Sequence, residues 1–272
     1  MNTLQGKRLT VIGAGNIGRI LLERLHAAGV PAAHLAVCDS DLARGQAAGG
    51  RFGLRAVSLT DEAACSADAL LIATPPKVVP EVLGTVADRL HRGQVVVSFA
   101  AAVPLARLEA LVPPGVSVAR VMPSASSLVG QGLNPIAYGA SVTPNARALV
   151  EALLATLGET AVVHDEQMNW CVGLAGAAMR SVLPVLEGMT QAGIEAGLAA
   201  AEARRVAAQI MLGTAALALQ TELSFDELKA LTPMPTMDEG MISKVFLDAA
   251  RGAKEKTDQL ERKLWKTEAP SG

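Results

Sequence analysis

The stretch Leu9-Thr10-Val11-Ile12-Gly13-Ala14-Gly15-Asn16-Ile17-Gly18 decides how the rest of the chain is read. Four residues of β-strand type lead directly into three glycines in G-x-G-x-x-G spacing, and an amphipathic helical pattern, residues 17–28, begins at once. Gly13 allows the tight turn, Gly15 lets a pyrophosphate approach the backbone, and Gly18 lets the helix pack on its strand. The helix N-terminus adds unpaired N–H groups and the positive end of a dipole, which suit an anion. Such glycine spacing is common by itself. It becomes specific here because Asp39 ends the next apolar run, about 20 residues on, where a dinucleotide fingerprint places its ribose-binding acid.

Outward from this turn, short apolar runs recur at residues 9–13, 35–39, 54–57, 69–74, 95–99 and 116–122, with weaker ones at 136–138 and 160–164. Helical patterns at 17–28, 79–90 and 146–157 alternate with them, which is the signature of βαβ units and a parallel sheet. After His164 the β-branched runs stop. The expected fold is α/β, with an N-terminal Rossmann domain (doubly wound, mostly parallel sheet) over residues 1–165 and an all-helical domain over 166–272. Helices are predicted at 166–197, 201–221, just after Ser224, and at 237–264. Asp165 is the expected N-cap of the first, and Pro184 is expected to kink it. Ser224 with Glu227 and Thr236 with Glu239 fit the S/T-x-x-E capping box. The chain beyond Lys266 is expected to fray.

Composition narrows the function classes. The 272 residues are 50% hydrophobic and 18% charged, enough for a sizeable core, and only 3% aromatic, so helices are expected to approach through small side chains. A formal charge of -2 supplies no overall attraction to nucleic acid or to an anionic membrane, and neither is expected as a partner. Cys38, Cys65 and Cys171 lie far apart without metal-ligand spacing, so no metal site is expected. No signal-peptide pattern precedes the first strand, and the apolar run 206–221 is too short for a bilayer, so it reads as a buried helix and a cytoplasmic location is expected.

Asp39 favours NAD over NADP, because a carboxylate accepts hydrogen bonds from the ribose hydroxyls and repels a 2′-phosphate. Arg44, on the following helix, is the opposing signal. The chain also resembles the pyrroline-5-carboxylate reductases over nearly all its length. The resemblance rests on the glycine turn, on VVVSFAAAV (95–103), on VARVMPSASSLVGQG (118–132), and on AGIEAGL (192–198) with the alanine-rich run after it. It implies an NAD(P)-dependent reductase of small molecules whose helical domain joins two subunits into a homodimer or higher homo-oligomer. The cofactor residues it implies are Gly13, Gly15, Asn16, Ile17, Gly18 and Asp39, with Thr74, Pro75, Pro76, Ala100, Ala101 and Pro123 toward the nicotinamide.

The sequence departs from that family in the substrate half. A Ser-Gly-Ser-Gly-Pro-Ala motif is replaced by AGAAMR (175–180), and a Thr-Ser-Pro-Gly-Gly-Thr-Thr loop by TPMPTMDE (232–239). Pro233 and Pro235 lack amide donors, and Asp238 and Glu239 bring negative charge where a carboxylate would dock, which disfavours pyrroline-5-carboxylate itself as substrate. The candidate catalytic side chains are Asp238, Thr232 and Arg180. Asp238 either sits in the first turn of the last helix or points into the cleft to orient an amine or protonate a reacting nitrogen; Arg180 either binds an anionic group, pairs with an acid, or snorkels at an intersubunit surface. His164, Tyr138 and Ser124 read as structural. The expected chemistry is hydride transfer to a C=N bond, less readily C=O, of a small cyclic imine. The alternative is an inactive dinucleotide-binding sensor or assembly protein on the same fold. A β-hydroxyacid dehydrogenase is disfavoured, since no lysine occurs between Lys77 and Lys229.

Overall fold

Among the described residues eight strands form one sheet: β1 (Leu9–Ile12), β2 (Leu35–Cys38), β3 (Arg55–Ala56), β4 (Ala69–Ile72), β5 (Val95–Ser98), β6 (Ser117–Val121), β7 (Gly132–Tyr138) and β8 (Gly158–Val162). Their spatial order in the computed structural model, which describes residues 4–232 and 234–265, is β3-β2-β1-β4-β5-β6-β7-β8. Neighbours run parallel except β6 and β7, which are antiparallel. The sheet is thus the doubly wound one expected. Pro233 and the chain beyond Lys266 lie outside the described residues.

Every residue of β1, β2, β4 and β5 is buried, which explains why these strands read as apolar runs without alternation. Alternate side chains serve opposite faces. Val11, Leu71 and Val97 join Leu21, Leu25 and Leu153 on one side; Ile12, Leu70 and Val96 join Leu83, Leu108 and Met168 on the other. The helices that cover the two faces are α1 (Asn16–Ala27), α2 (Leu42–Phe52), α3 (Glu62–Cys65), α4 (Val79–Val86), α5 (Leu105–Ala110), α6 (Pro144–Ala155) and α7 (Met168–Cys171). In register, Ile12 lies beside both Cys38 and Ile72, so the carboxyl ends of β1, β2 and β4 finish level. That is the switch point of the strand order, where an open α/β sheet leaves a crevice.

The chain divides into two compact units, Met1–Ala177 with Arg251–Gly272, and Ala178–Ala250. The first therefore includes residues on both sides of position 165 and takes in the end of the last helix. Asp165 is not an N-cap. His164 holds that position on a 3-10 turn, Asp165–Gln167. The Asp165 carboxylate instead accepts the Leu105 N–H (2.9 Å) and pairs with Arg120 (2.8 Å). Arg120 is 1% exposed and also donates to Asn169 Oδ1, while the Asn169 amide donates to Asp258 and Glu261 of the last helix. The single helix predicted from residue 166 is interrupted by a π turn, Val172–Gly176, well before Pro184. Shortly after β5, Ala102 has φ 57, and Trp265 Nε1–H donates to its carbonyl at 2.7 Å.

The second unit contains α8 (Ala178–Glu195), α9 (Ala200–Gln220), α10 (Phe225–Ala230) and the first half of α11 (Glu239–Leu264). The helix α8 continues through Pro184. It ends at Gly197, φ 92, where Leu198 N–H donates to Gly193 O, the bond of a Schellman motif. A Cβ on Gly193 would lie 2.9 Å from Ala203 Cβ, so α8 and α9 meet through small residues as the composition suggested. Only Ala203 and Ala207 of α9 are buried, so the helix read as buried is largely exposed in a single chain. Ser224 and Glu227 form the expected capping box. At α11 the cap is Asp238, whose Oδ1 accepts the Met241 N–H at 2.9 Å, in place of the predicted Thr236–Glu239 pair; Glu239 is ion-paired with Lys229. Among the described residues one helical stretch, Asp165–Glu195, is long and apolar enough to cross a membrane.

Candidate dinucleotide cleft

The three glycines meet three different constraints. Gly13 has φ 102, and a Cβ there would stand 2.6 Å from the Ala73 carbonyl oxygen of the neighbouring β4 turn. A Cβ on Gly18 would fall 1.8 Å from the Gly13 carbonyl oxygen, so nothing larger fits where α1 crosses the turn. Gly15 meets nothing within 4 Å. It is also the N-cap of α1, where no side chain caps the helix and no acid lies in the first turn. Open space over uncapped N–H groups is an anion-binding arrangement. Asn16 and Arg19 stand exposed at its rim, with Arg19 Nη2 donating to Asn16 Oδ1 at 2.9 Å; Ile17 turns inward to the core.

Asp39, one residue past β2, closes the turn from the side. Its Oδ2 accepts the Ala14 N–H (2.7 Å) and its Oδ1 the Asp41 N–H (2.8 Å). Arg44 adds a fork on the same carboxylate, Nε to Oδ2 at 3.0 Å and Nη2 to Oδ1 at 2.6 Å. Burial pushes the Asp39 carboxyl upward, but the Arg44 guanidinium and the two amides outweigh it and hold the group below its usual range. Asp39 is therefore an anion whose charge Arg44 balances. Cys38 beside it is pushed up to about 11 by burial first and by Asp39 second, which favours the neutral thiol.

A cleft of about 680 Å³ runs from this turn between the ends of β2 and β4. Val57, Leu59, Val78 and Val82 give it an apolar slot, and Thr74 and Pro75 line its other end. Thr74 Oγ1 is buried without a hydrogen-bond partner among the described residues, an unsatisfied hydroxyl within the cleft wall. Pro75 precedes a 3-10 turn, Pro76–Val78, that seats α4. Ala100 and Ala101 follow β5, Ala100 buried and its N–H bonded to Ser98 Oγ. Pro123 follows β6, and there the π turn comes close, since a Cβ on Gly176 would lie 3.3 Å from Met122 Sδ and 3.8 Å from the Pro123 carbonyl oxygen. π turns are frequent at functional positions.

The apolar slot, Arg19 and the π turn were not legible as site features beforehand. The slot residues come from two separate segments, the loop after β3 and the turn into α4, while Arg19 lies in the first turn after the glycines.

The candidate catalytic side chains all belong to the second unit. Arg180 is exposed in the first turn of α8 with no hydrogen-bond or ion-pair partner among the described residues. Thr232 is exposed, its N–H closing a turn on Lys229 O. Asp238 is exposed and uses Oδ1 in the α11 cap. In the first unit the Tyr138 hydroxyl is buried without a partner, raised by desolvation, with Arg147 stacked over its ring at 4.4 Å.

Two family models match the chain: NADP oxidoreductase coenzyme F420-dependent, over residues 8–102, and pyrroline-5-carboxylate reductase dimerisation, over residues 165–260. The chain is 31% identical to the pyrroline-5-carboxylate reductase of Pseudomonas aeruginosa, covering 84% of each protein. It is 28% identical to that of Corynebacterium melassecola, covering 93% of this chain and 98% of the relative. Among solved structures, the Plasmodium falciparum pyrroline carboxylate reductase with NADP bound aligns with TM-score 0.82 at 18% identity, over 94% of this chain and 98% of the other. The Coxiella burnetii pyrroline-5-carboxylate reductase aligns with TM-score 0.79 at 23% identity, over 93% and 98%.

Proposed function

The chain belongs to the pyrroline-5-carboxylate reductase family, and on that premise we propose that it is an NAD(P)-dependent reductase of the C=N bond of a small cyclic imine other than pyrroline-5-carboxylate. The observation that carries the reading is the uncapped α1 N-terminus over the open face of Gly15, flanked by the Asp39 carboxylate and the unpaired Thr74 hydroxyl. These residues fit a dinucleotide. Gly13, Gly15, Asn16, Ile17 and Gly18 would hold its pyrophosphate, Asp39 a ribose, and the apolar slot the adenine. Thr74, Pro75, Pro76, Ala100, Ala101 and Pro123 would hold the nicotinamide end. A nicotinamide cofactor supplies the hydride when bound; the protein's part is to orient the partners, exclude water and deliver a proton.

NAD is the favoured cofactor. The Asp39 anion disfavours a 2′-phosphate, and Arg44 weakens that discrimination by balancing the charge. On the substrate side, Arg180 has a free guanidinium for an anionic group, Thr232 a hydroxyl, and Asp238 its Oδ2 for handling a proton. The two carboxylates at the start of α11 and the loss of loop glycines speak against pyrroline-5-carboxylate. A cytoplasmic homodimer is the favoured assembly. Leu212, Leu219, Phe225 and Val245 are exposed in a single chain and α8 buries no residue, apolar surface that a second copy would cover.

The test is turnover. The full-length chain with NADH or NADPH is offered cyclic imines, imino acids and ketones while loss of nicotinamide absorbance is followed. Saturable turnover of a cyclic imine other than pyrroline-5-carboxylate supports the reading. Tight dinucleotide binding without turnover favours the alternative, a sensor or assembly protein, and absence of dinucleotide binding overturns both.

A further inference from the structure

We propose that the amino ends of β1, β2 and β3 form a second binding site, for a small organic oxyanion with an apolar body. A cavity of about 680 Å³ opens there, lined on its polar side by Arg8, Thr10, His34, Arg55 and Ser66 and elsewhere mainly by alanines. It shares no lining residue with the dinucleotide cleft. The two open toward opposite ends of β1, Leu9 and Thr10 lining one and Ile12 the other.

Charge is the first observation. Among the described residues, the cavity is lined by two arginines and no carboxylate. Neither arginine side chain has a hydrogen-bond or ion-pair partner among the described residues, and both are exposed. Asp68, which accepts the Arg8 backbone N–H at 2.9 Å, is already neutralised by Lys7 at 2.8 Å. Two unengaged planar forks on one concave surface suit a carboxylate or phosphate.

The second observation is independent of charge. Thr10 is fully buried, and its Oγ1 has no partner; His34 Nδ1 is likewise buried and unpaired. Two orphaned polar atoms in one cavity are unusual, because an unpaired buried group weakens a fold. Thr10 is also the one polar residue in a strand otherwise made of Leu9, Val11 and Ile12. A valine would occupy nearly the same space without that penalty. The guanidinium groups take the charge of a bound oxyanion, and a small side-chain shift in the wall lets it accept from the Thr10 hydroxyl and the His34 ring N–H, both closed off in the ligand-free chain. The alanine wall accommodates the apolar remainder of the ligand.

The experiment titrates phenyl phosphate, benzoate and inorganic phosphate into the full-length chain by calorimetry, with and without saturating NADH. The expected result is one site per chain for phenyl phosphate or benzoate, at least several-fold tighter than inorganic phosphate and unchanged by NADH. Which of the two organic probes binds better tells phosphate from carboxylate as the ligand group. Arg8→Ala and Arg55→Ala, both at exposed positions, are each expected to weaken binding about tenfold. Thr10→Val is expected to weaken binding while raising the melting temperature of the ligand-free protein. Binding that NADH displaces belongs to the glycine turn and overturns this proposal while leaving the reductase reading intact. So does the absence of saturable binding, affinity unchanged in Arg8→Ala/Arg55→Ala, or a lower melting temperature for Thr10→Val.

Discussion

Asp165→Ala should destabilise the protein more than Arg120→Met, although the two residues form one ion pair. Arg120 is 1% exposed and the Asp165 side chain 23%, so the two deletions leave different orphans. Without Asp165, the guanidinium stays in the interior with Asn169 Oδ1 as its remaining acceptor and with Nε already unpaired. Uncompensated buried charges of this kind cost about 3–5 kcal/mol. The same change also removes the acceptor of the Leu105 N–H. Without Arg120, the Asp165 carboxylate keeps the Leu105 N–H and is reached by water, and methionine fills most of the vacated space, so the loss is about 1–2 kcal/mol. With roughly 2–4 °C per kcal/mol for a unit of this size, the melting temperature falls by about 6–20 °C in the first case and about 2–8 °C in the second. The double variant, having no buried charge to compensate, should be more stable than Asp165→Ala alone. Urea denaturation of all three gives the free energies directly. The reasoning fails if Arg120→Met is the more damaging single change, or if the double variant is the least stable of the set.

Three further outcomes are expected. Gly13→Ala, forced against the Ala73 carbonyl at a φ of 102, should abolish dinucleotide binding, whereas Gly15→Ala, with open space around it, should fold normally and weaken binding about tenfold by obstructing the pyrophosphate approach, both read by fluorescence titration. Because the Asp39 carboxyl is held below its usual range, its contribution to stability is present above the ordinary carboxylate pKa of about 4 and is lost as pH falls through the depressed value; Asp39→Asn should flatten that acid limb of the melting temperature. Arg44→Ala, which leaves the Asp39 anion unbalanced, should raise the ratio of KM for NADPH to KM for NADH by about tenfold, and an unchanged ratio would remove Arg44 from cofactor discrimination.

The dinucleotide half was legible because its demands are local. A strand, a tight turn, an uncapped helix end and an acid one strand later are adjacent in the chain, and Gly13 and Gly18 occupy positions where a single Cβ collides with backbone. β1, β2, β4, β5 and β6 are buried along their whole length, and four of them carried unbroken apolar runs for that reason, whereas the edge strands β3 and β8 are largely exposed. What escaped were features made by distant segments. Arg120 looked like an ordinary strand residue, and its burial follows from Asp165, Asn169 and the last helix arriving together. Asp165 resembled a helix cap because aspartate caps helices so often, yet a buried guanidinium has the stronger demand for a carboxylate. The π turn had no sequence marker beyond the small residues Gly173, Ala175, Gly176 and Ala177, which a regular helix would also accept. At α11 two capping signals overlapped, and Asp238, nearest the first helical residue, took the role from Thr236.

The first unit draws its residues from both ends of the chain, and that has a consequence during synthesis. When the ribosome has completed Ala177, the sheet is whole, but the segment from Arg251 onward has not been made. Asn169 then lacks Asp258 and Glu261, and the Ala102 carbonyl lacks the indole of Trp265. At usual elongation speeds the intervening residues 178–250 take roughly 4–15 s to add. For that interval the nascent protein holds a finished glycine turn over an unbraced β5 loop, so residues made after the helical unit set when the sheet unit becomes fully rigid.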